Sequence, residues 1–169
     1  MKKIGIFVED NYNEIEFWYP YYRMLEEGFE VVVIGSGRAD VYTSKLGTLT
    51  RGLNPATIKC AELDGVIIPG GYAPDKMRVS TQMLKIVREL FDNDKVVAAI
   101  CHAGWVLVSA GILKGKKVTA CLSIKDDLLN AGAEFLDQAV VVDGNLITSR
   151  VPDDVPAFSR EIINFLNSK

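Results

Sequence analysis

The sequence predicts a three-layer α/β sandwich with a mostly parallel central sheet. Apolar runs that are β-branched and nearly continuous recur along the chain: IGIFV (4–8), VVVIG (31–35), GVIIPGG (65–71), VVAAI (96–100), KVTAC (117–121) and AVVVDGNLITS (139–149). Strands covered on both faces read this way. Segments with helical periodicity separate the runs, and strands alternating with helices argue for a parallel sheet. No repeat, low-complexity tract or Pro/Gly/Ser-rich linker divides the chain, so residues 1–169 read as one domain.

Each element has its own signal. The first run is the opening strand, because Glu9 and Asp10 end it after five apolar residues. That is too short for the apolar stretch of a signal peptide, and it makes the cytoplasm the expected location. Residues 13–27 form the first helix, with Ile15, Phe17, Trp18, Tyr21, Tyr22 and Leu25 as its apolar positions and Gly28 as C-terminal stop. Ser80 is placed to N-cap TQMLKIVRELFDN, whose Met83, Leu84, Ile86, Val87, Leu90 and Phe91 form one stripe. Residues 102–110 and 123–131 make shorter helices closed by Gly111 and Gly132. Asp143-Gly144-Asn145 between two apolar arms signals a hairpin, and Asp153 or Asp154 is expected to cap the last helix.

Composition narrows the function. A chain of 169 residues buries roughly 68–70% of its unfolded surface, enough for a core without disulfides. The net charge of −3, with no basic cluster, gives no footprint for nucleic acid. No apolar run approaches a membrane span. Three cysteines are an odd number, which disfavours a disulfide framework, and in the cytoplasm all are expected reduced. One histidine and three scattered cysteines do not make metal-ligand spacing, and no GxGxxG or P-loop pattern is present.

The stretch VVAAICHAGW (96–105) carries the chemistry. A buried strand ends by presenting Cys101 beside His102, the only histidine, at the carboxyl edge where α/β sheets gather functional groups. A nucleophile on a tight strand-to-helix turn stands above the sheet, and the helix N-terminus behind it favours thiolate. Ala103 and Gly104 leave room for the turn. Free cysteine is also a common buried hydrophobe, and at Cys101 the residues leave both readings open. Cys60 and Cys121 are read as packing residues. Gly70 and Gly71 follow another strand; they read either as a plain turn or as backbone donors that join the His102 amide in an oxyanion hole. Glu14 and Glu16 open the first helix, where acids complement the dipole. One of them is also placed to reach Cys101 and, if protonated, to tune the thiol.

Taken with EIEFWYPYYRMLEEG, IPGGYAPDKMR, AAICHAGWVLVSAGILKGKKVTA, DDLLNAGAEF and VVVDGNLITSRVPDDVPAF, these features resemble the PfpI-type intracellular proteases of the ThiJ/PfpI superfamily over nearly the whole chain. The resemblance implies a class I glutamine amidotransferase-like (flavodoxin-like) fold. It implies Cys101 as nucleophile with His102 as partner, Glu16 as the glutamate bonded to that cysteine, and Gly71 with the His102 amide as oxyanion donors. It further implies a third triad acid from a neighbouring subunit. Asp75 stands at that position, where the protease pattern has glutamate; the shorter side chain loses about one methylene of reach and loosens control of His102. Val151 likewise replaces a histidine. Homodimers built into hexamers are implied, with no cofactor, and the aromatic residues Phe17, Trp18, Tyr19, Tyr21 and Tyr22 fit a subunit interface or ordinary packing.

Three functions follow. The first is a cysteine-dependent hydrolase of the intracellular protease type, acting through Cys101 on a peptide carbonyl. The second keeps that nucleophile but acts, without cofactor, on α-oxoaldehydes or their protein adducts as a glyoxalase or deglycase. The third makes Cys101 a redox sensor, or the protein a stress chaperone without turnover.

Overall fold

The computed structural model describes residues 1–169. In chain order the elements are β1 (Lys3–Val8), α1 (Glu14–Glu26), β2 (Glu30–Gly35), β3 (Val41–Thr43), β4 (Leu49–Arg51), β5 (Gly65–Ile68), α2 (Ala73–Met77), α3 (Thr81–Asp92), β6 (Val96–Ile100), α4 (Gly104–Ala110), β7 (Lys117–Val118), α5 (Lys125–Asn130), β8 (Glu134–Phe135), β9 (Val140–Asp143), β10 (Leu146–Ser149) and α6 (Val155–Asn167).

The main sheet has the order β2-β1-β5-β6-β10-β9, parallel throughout except for β9. α1 and α6 pack together over one face, and α3 and α4 over the other. This three-layer arrangement buries β5 and β6 completely, which is why their sequences are apolar without alternation. The central strands β1, β5 and β6 share one direction, so the segments after Val8, Ile68 and Ile100 emerge side by side at one edge.

Local chemistry explains the helix ends. Asn13 caps α1, its Oδ1 accepting from the amides of Ile15 (3.0 Å) and Glu16 (3.2 Å). Ser80 caps α3 through the Met83 amide, as expected. Gly28 and Gly111 take the left-handed conformation after α1 and α4, at φ +78° and +72°. Gly144-Asn145 is the two-residue turn between β9 and β10.

Two expectations are corrected. Of the run 117–121 only Lys117–Val118 is strand, and it pairs with β8 as a separate ribbon. Strand β10 is already flanked by β6 and β9, so this segment lies across them, with the Thr119 amide donating to Thr148 Oγ1 (2.9 Å). Neither Asp153 nor Asp154 caps α6 through its side chain: a 3₁₀ turn leads into the helix, and the Asp154 carboxylate accepts instead from Arg150 (2.9 Å). The ribbon β3–β4 had no sequence signal, since three-residue strands are too short to show a period. It is held by buried Tyr42, whose hydroxyl accepts from the Gly37 amide (3.1 Å).

The contact between β5 and β6 tolerates no extra atom at Gly65. A Cβ there would fall on the Val96 side chain and lie 2.8 Å from the Val96 carbonyl oxygen. Gly65→Ala is expected to destabilise the protein by about 1–3 kcal/mol through overpacking, measured as a lower urea midpoint with unchanged slope.

Candidate active site

Strand β6 ends at Ile100, and the next residue turns the chain sharply. Cys101 has φ +59°, a left-handed conformation carried by a residue with a side chain. A 3₁₀ turn, Cys101–Ala103, then leads into α4. The turn lifts the sulfur above the sheet edge and aims the His102 amide at it, a contact that favours the thiolate.

Two other strand ends close around this sulfur. Gly70 follows β5, and a Cβ there would stand 2.9 Å from Cys101 Cβ and 2.5 Å from Glu16 Oε2. Only glycine lets the three residues meet. The Gly70 amide donates to Glu16 Oε2 (2.7 Å). Gly71, at φ +77°, pairs with Tyr12 in the segment after β1, and the Tyr72 amide donates to the Asn11 carbonyl (2.9 Å).

Glu16, rather than Glu14, is the acid that reaches the cysteine. It is fully buried beside Cys101, and its Oε1 has no hydrogen-bond partner. Burial pushes its pKa up to about 7, only partly offset by the Gly70 amide and by Cys101. Glu14 faces the β3–β4 loop, where it accepts from the Leu46 amide (2.6 Å).

The structure adds two residues to the site. Cys121 Sγ lies 3.4 Å from His102 Nδ1, the same distance as Cys101 Sγ from that nitrogen. Ser123 Oγ lies 3.2 Å from His102 Nε2 and 3.3 Å from Cys121 Sγ. The sequence reading of Cys121 as a packing residue does not hold, because a lone cysteine among small residues gives little local signal of a site. Cys121 does end an apolar run just as Cys101 does, and that position was the available clue. Cys60 stays apart, beside Glu89, its thiol pushed up to about 11 chiefly by burial.

The two site thiols ionise as a pair. One ionisation of the pair is drawn down by hydrogen bonding between the two sulfurs, and then by His102 and Ser123. The second, on Cys101, is pushed far above the ordinary thiol range by that neighbouring anion, by burial and by Glu16. The imidazole pKa is raised, first by Cys121 and against its own partial burial. Thus the helix N-terminus does not act alone on Cys101: a second sulfur competes for the negative charge.

The rings of Tyr72 and Trp105 flank His102, with centroids 6.4 and 5.1 Å away. The Trp105 indole is fixed by donation to Asp127 (2.8 Å). Asp75 does not join the cluster. It is exposed in the first turn of α2, and its carboxylate makes no hydrogen bond or ion pair within the chain. Within one chain the imidazole is oriented by a serine hydroxyl and two sulfurs, not by an acid.

The profile of the DJ-1/PfpI family matches residues 2–165. The chain belongs to that family. "Deglycase PfpI" of Pyrococcus furiosus is 41% identical over 165 residues, spanning 97% of this chain and 99% of that protein. "Protein/nucleic acid deglycase 2" of Escherichia coli is 38% identical over 172 residues, spanning 99% of both. A solved two-domain protein of Anabaena variabilis, with DJ-1/ThiJ/PfpI-like and ferritin-like domains, superposes with TM-score 0.96 at 41% identity. The match covers 99% of this chain and 48% of that longer one. The mostly parallel fold foreseen from sequence is thus the fold of the family. No helix is long and apolar enough to cross a membrane.

Glu16 makes stability depend on pH. The folded protein holds its proton up to about pH 7, whereas the unfolded chain releases it near 4.5. Folding therefore takes up a proton between those values, and stability falls as pH rises through them. Wild type should lose on the order of 3 kcal/mol between about pH 4.5 and pH 8 that Glu16→Gln does not lose. Urea midpoints of the two proteins at both pH values check this.

Proposed function

We propose that this chain is a cysteine-dependent hydrolase of the deglycase kind, acting on α-oxoaldehydes and on the early adducts they form with amines. The observation that carries the reading is the pair of proton carriers flanking Cys101: a buried carboxyl that titrates near neutrality on one side, and an imidazole 3.4 Å away on the other. The names of the relatives above point the same way.

In this reading the Cys101 sulfur adds to the aldehyde-derived carbon. From an adduct, the amine leaves with a proton supplied by His102, and a hemithioacetal remains. A proton then moves from that carbon to its neighbour, with the buried carboxyl of Glu16 as the near carrier, and the product is a thioester. Water cleaves the thioester to a hydroxy acid and restores the thiol. The amides of Gly71 and His102 serve as oxyanion donors for the addition steps. Amide cleavage asks more, since a poor leaving amine must be protonated by a firmly oriented acid. With Ser123 rather than a carboxylate on His102 Nε2, the carbonyl chemistry is the better fit.

Asp75 reaches His102 only if a neighbouring copy supplies it, and the carbonyl chemistry proceeds without it. The exposed apolar face of α1, with Ile15, Tyr19, Tyr22 and Leu25, is the surface proposed for self-association. Tyr22→Asp should shift the solution mass toward monomer in light scattering.

The deciding experiment follows turnover of methylglyoxal, release of amine from its adducts with blocked lysine, and cleavage of a fluorogenic peptide panel. Adduct and aldehyde turnover should fall by more than about three orders of magnitude in Cys101→Ala. Cysteine-dependent cleavage of peptides alone would move the protein to the peptidase reading, and full turnover by Cys101→Ala would end every enzymatic reading that uses this sulfur.

A further inference from the structure

The linear spacing of Cys101, His102 and Cys121 shows no ligand pattern, yet the fold gathers one ligand atom from each within 4.8 Å of the others. We propose that these residues form a binding site for one thiophilic divalent cation of the zinc class, and that filling it withdraws Cys101 from chemistry.

Four features carry the proposal. Both sulfurs lie 3.4 Å from the same ring nitrogen, Nδ1 of His102. A tetrahedral zinc with bonds of about 2.3 Å to sulfur and 2.0–2.1 Å to nitrogen separates those donors by about 3.6 Å, so only small side-chain adjustments are needed. The far ring nitrogen is already held: Nε2 lies 3.2 Å from Ser123 Oγ. When Nε2–H donates to that hydroxyl, the Nδ1 lone pair faces the sulfurs, the outer contact that metal-binding histidines use.

Charge and softness fit as well. Two thiolates and a neutral imidazole around a dication leave no net charge, and two protons pass to solvent as the metal enters. Two sulfur donors with one nitrogen select zinc or cadmium over magnesium or calcium. Three protein ligands leave a fourth position for water, the pattern of an open rather than a closed zinc site. Cys101 and His102 are both partly solvent-accessible, which gives the ion a path in. This site needs no substrate, so it stands apart from the deglycase reading although it shares the sulfur.

The test uses the full-length protein, reduced, freed of metal with a chelator and kept under argon. Cobalt(II) is added first, and thiolate-to-metal charge-transfer absorption is recorded; zinc affinity is then measured by competition with a chromophoric chelator. Wild type should bind one ion per chain with an intense charge-transfer band. Cys121→Ser should lose most of the band and at least about 100-fold in zinc affinity, and Ser123→Ala about 10-fold, the range found for residues that orient a ligand. Zinc should also slow iodoacetamide alkylation of Cys101 in wild type but not in Cys121→Ser. Circular dichroism checks the fold of each variant; Ser123→Ala, which leaves all three donors in place, keeps the test valid if Cys121→Ser unfolds. Absence of a charge-transfer band in wild type, or equal zinc affinity in wild type and both variants, would overturn the proposal. Because no turnover is measured, a protein inert toward α-oxoaldehydes would leave this result unaffected.

Discussion

A strand that enters the left-handed region cannot run on, and at Cys101 the chain does so while carrying a side chain. Such a conformation costs on the order of 1–3 kcal/mol and persists only where the surroundings over-determine it. Here they do. Strand β6 is buried along its whole length and locked between β5 and β10, and α4 begins three residues after the turn. The position of the sulfur, the direction of the His102 amide and the closeness of Glu16 all depend on that one dihedral.

Around that point the site is tuned by opposed effects. Desolvation makes Glu16 hold a proton near neutrality, while the Gly70 amide restrains the effect. The same burial works against ionising Cys101, and the Cys121 anion works against it further. Without Cys121, burial and Glu16 alone would oppose the His102 amide at this sulfur. With Cys121 present, the two sulfurs compete for one negative charge beside an imidazole whose pKa is raised, and a substrate or a metal ion that meets either sulfur changes the balance on the other.

Much of this is legible in the sequence. The apolar runs of 4–8, 31–35, 65–71 and 96–100 became the strands expected, because a sheet covered on both faces leaves no other use for such sequences. Ser80, Gly28 and Gly111 marked helix ends for reasons of local hydrogen bonding and backbone freedom. Position just beyond strands of one sheet singled out Cys101 and the pair Glu14 and Glu16, and the family resemblance chose Glu16 between them. Cys121 and Ser123 were missed since nothing local ties them to the site: they arrive on a segment that leaves the sheet after two strand residues. The β3–β4 ribbon was equally silent, its stability resting on one buried tyrosine rather than on a pattern.

The parallel order of the sheet has a consequence for how the chain matures. Glu16, Gly70, Cys101 and Cys121 are distant in sequence and meet only after β1, β5 and β6 have paired, a set of long-range contacts that forms late compared with local helices. A nascent or partly folded chain therefore carries Cys101 as an ordinary thiol, with neither the carboxyl of Glu16 nor the sulfur of Cys121 at its side. The shifted ionisation of this sulfur is a property of the finished sheet, so it marks completed folding.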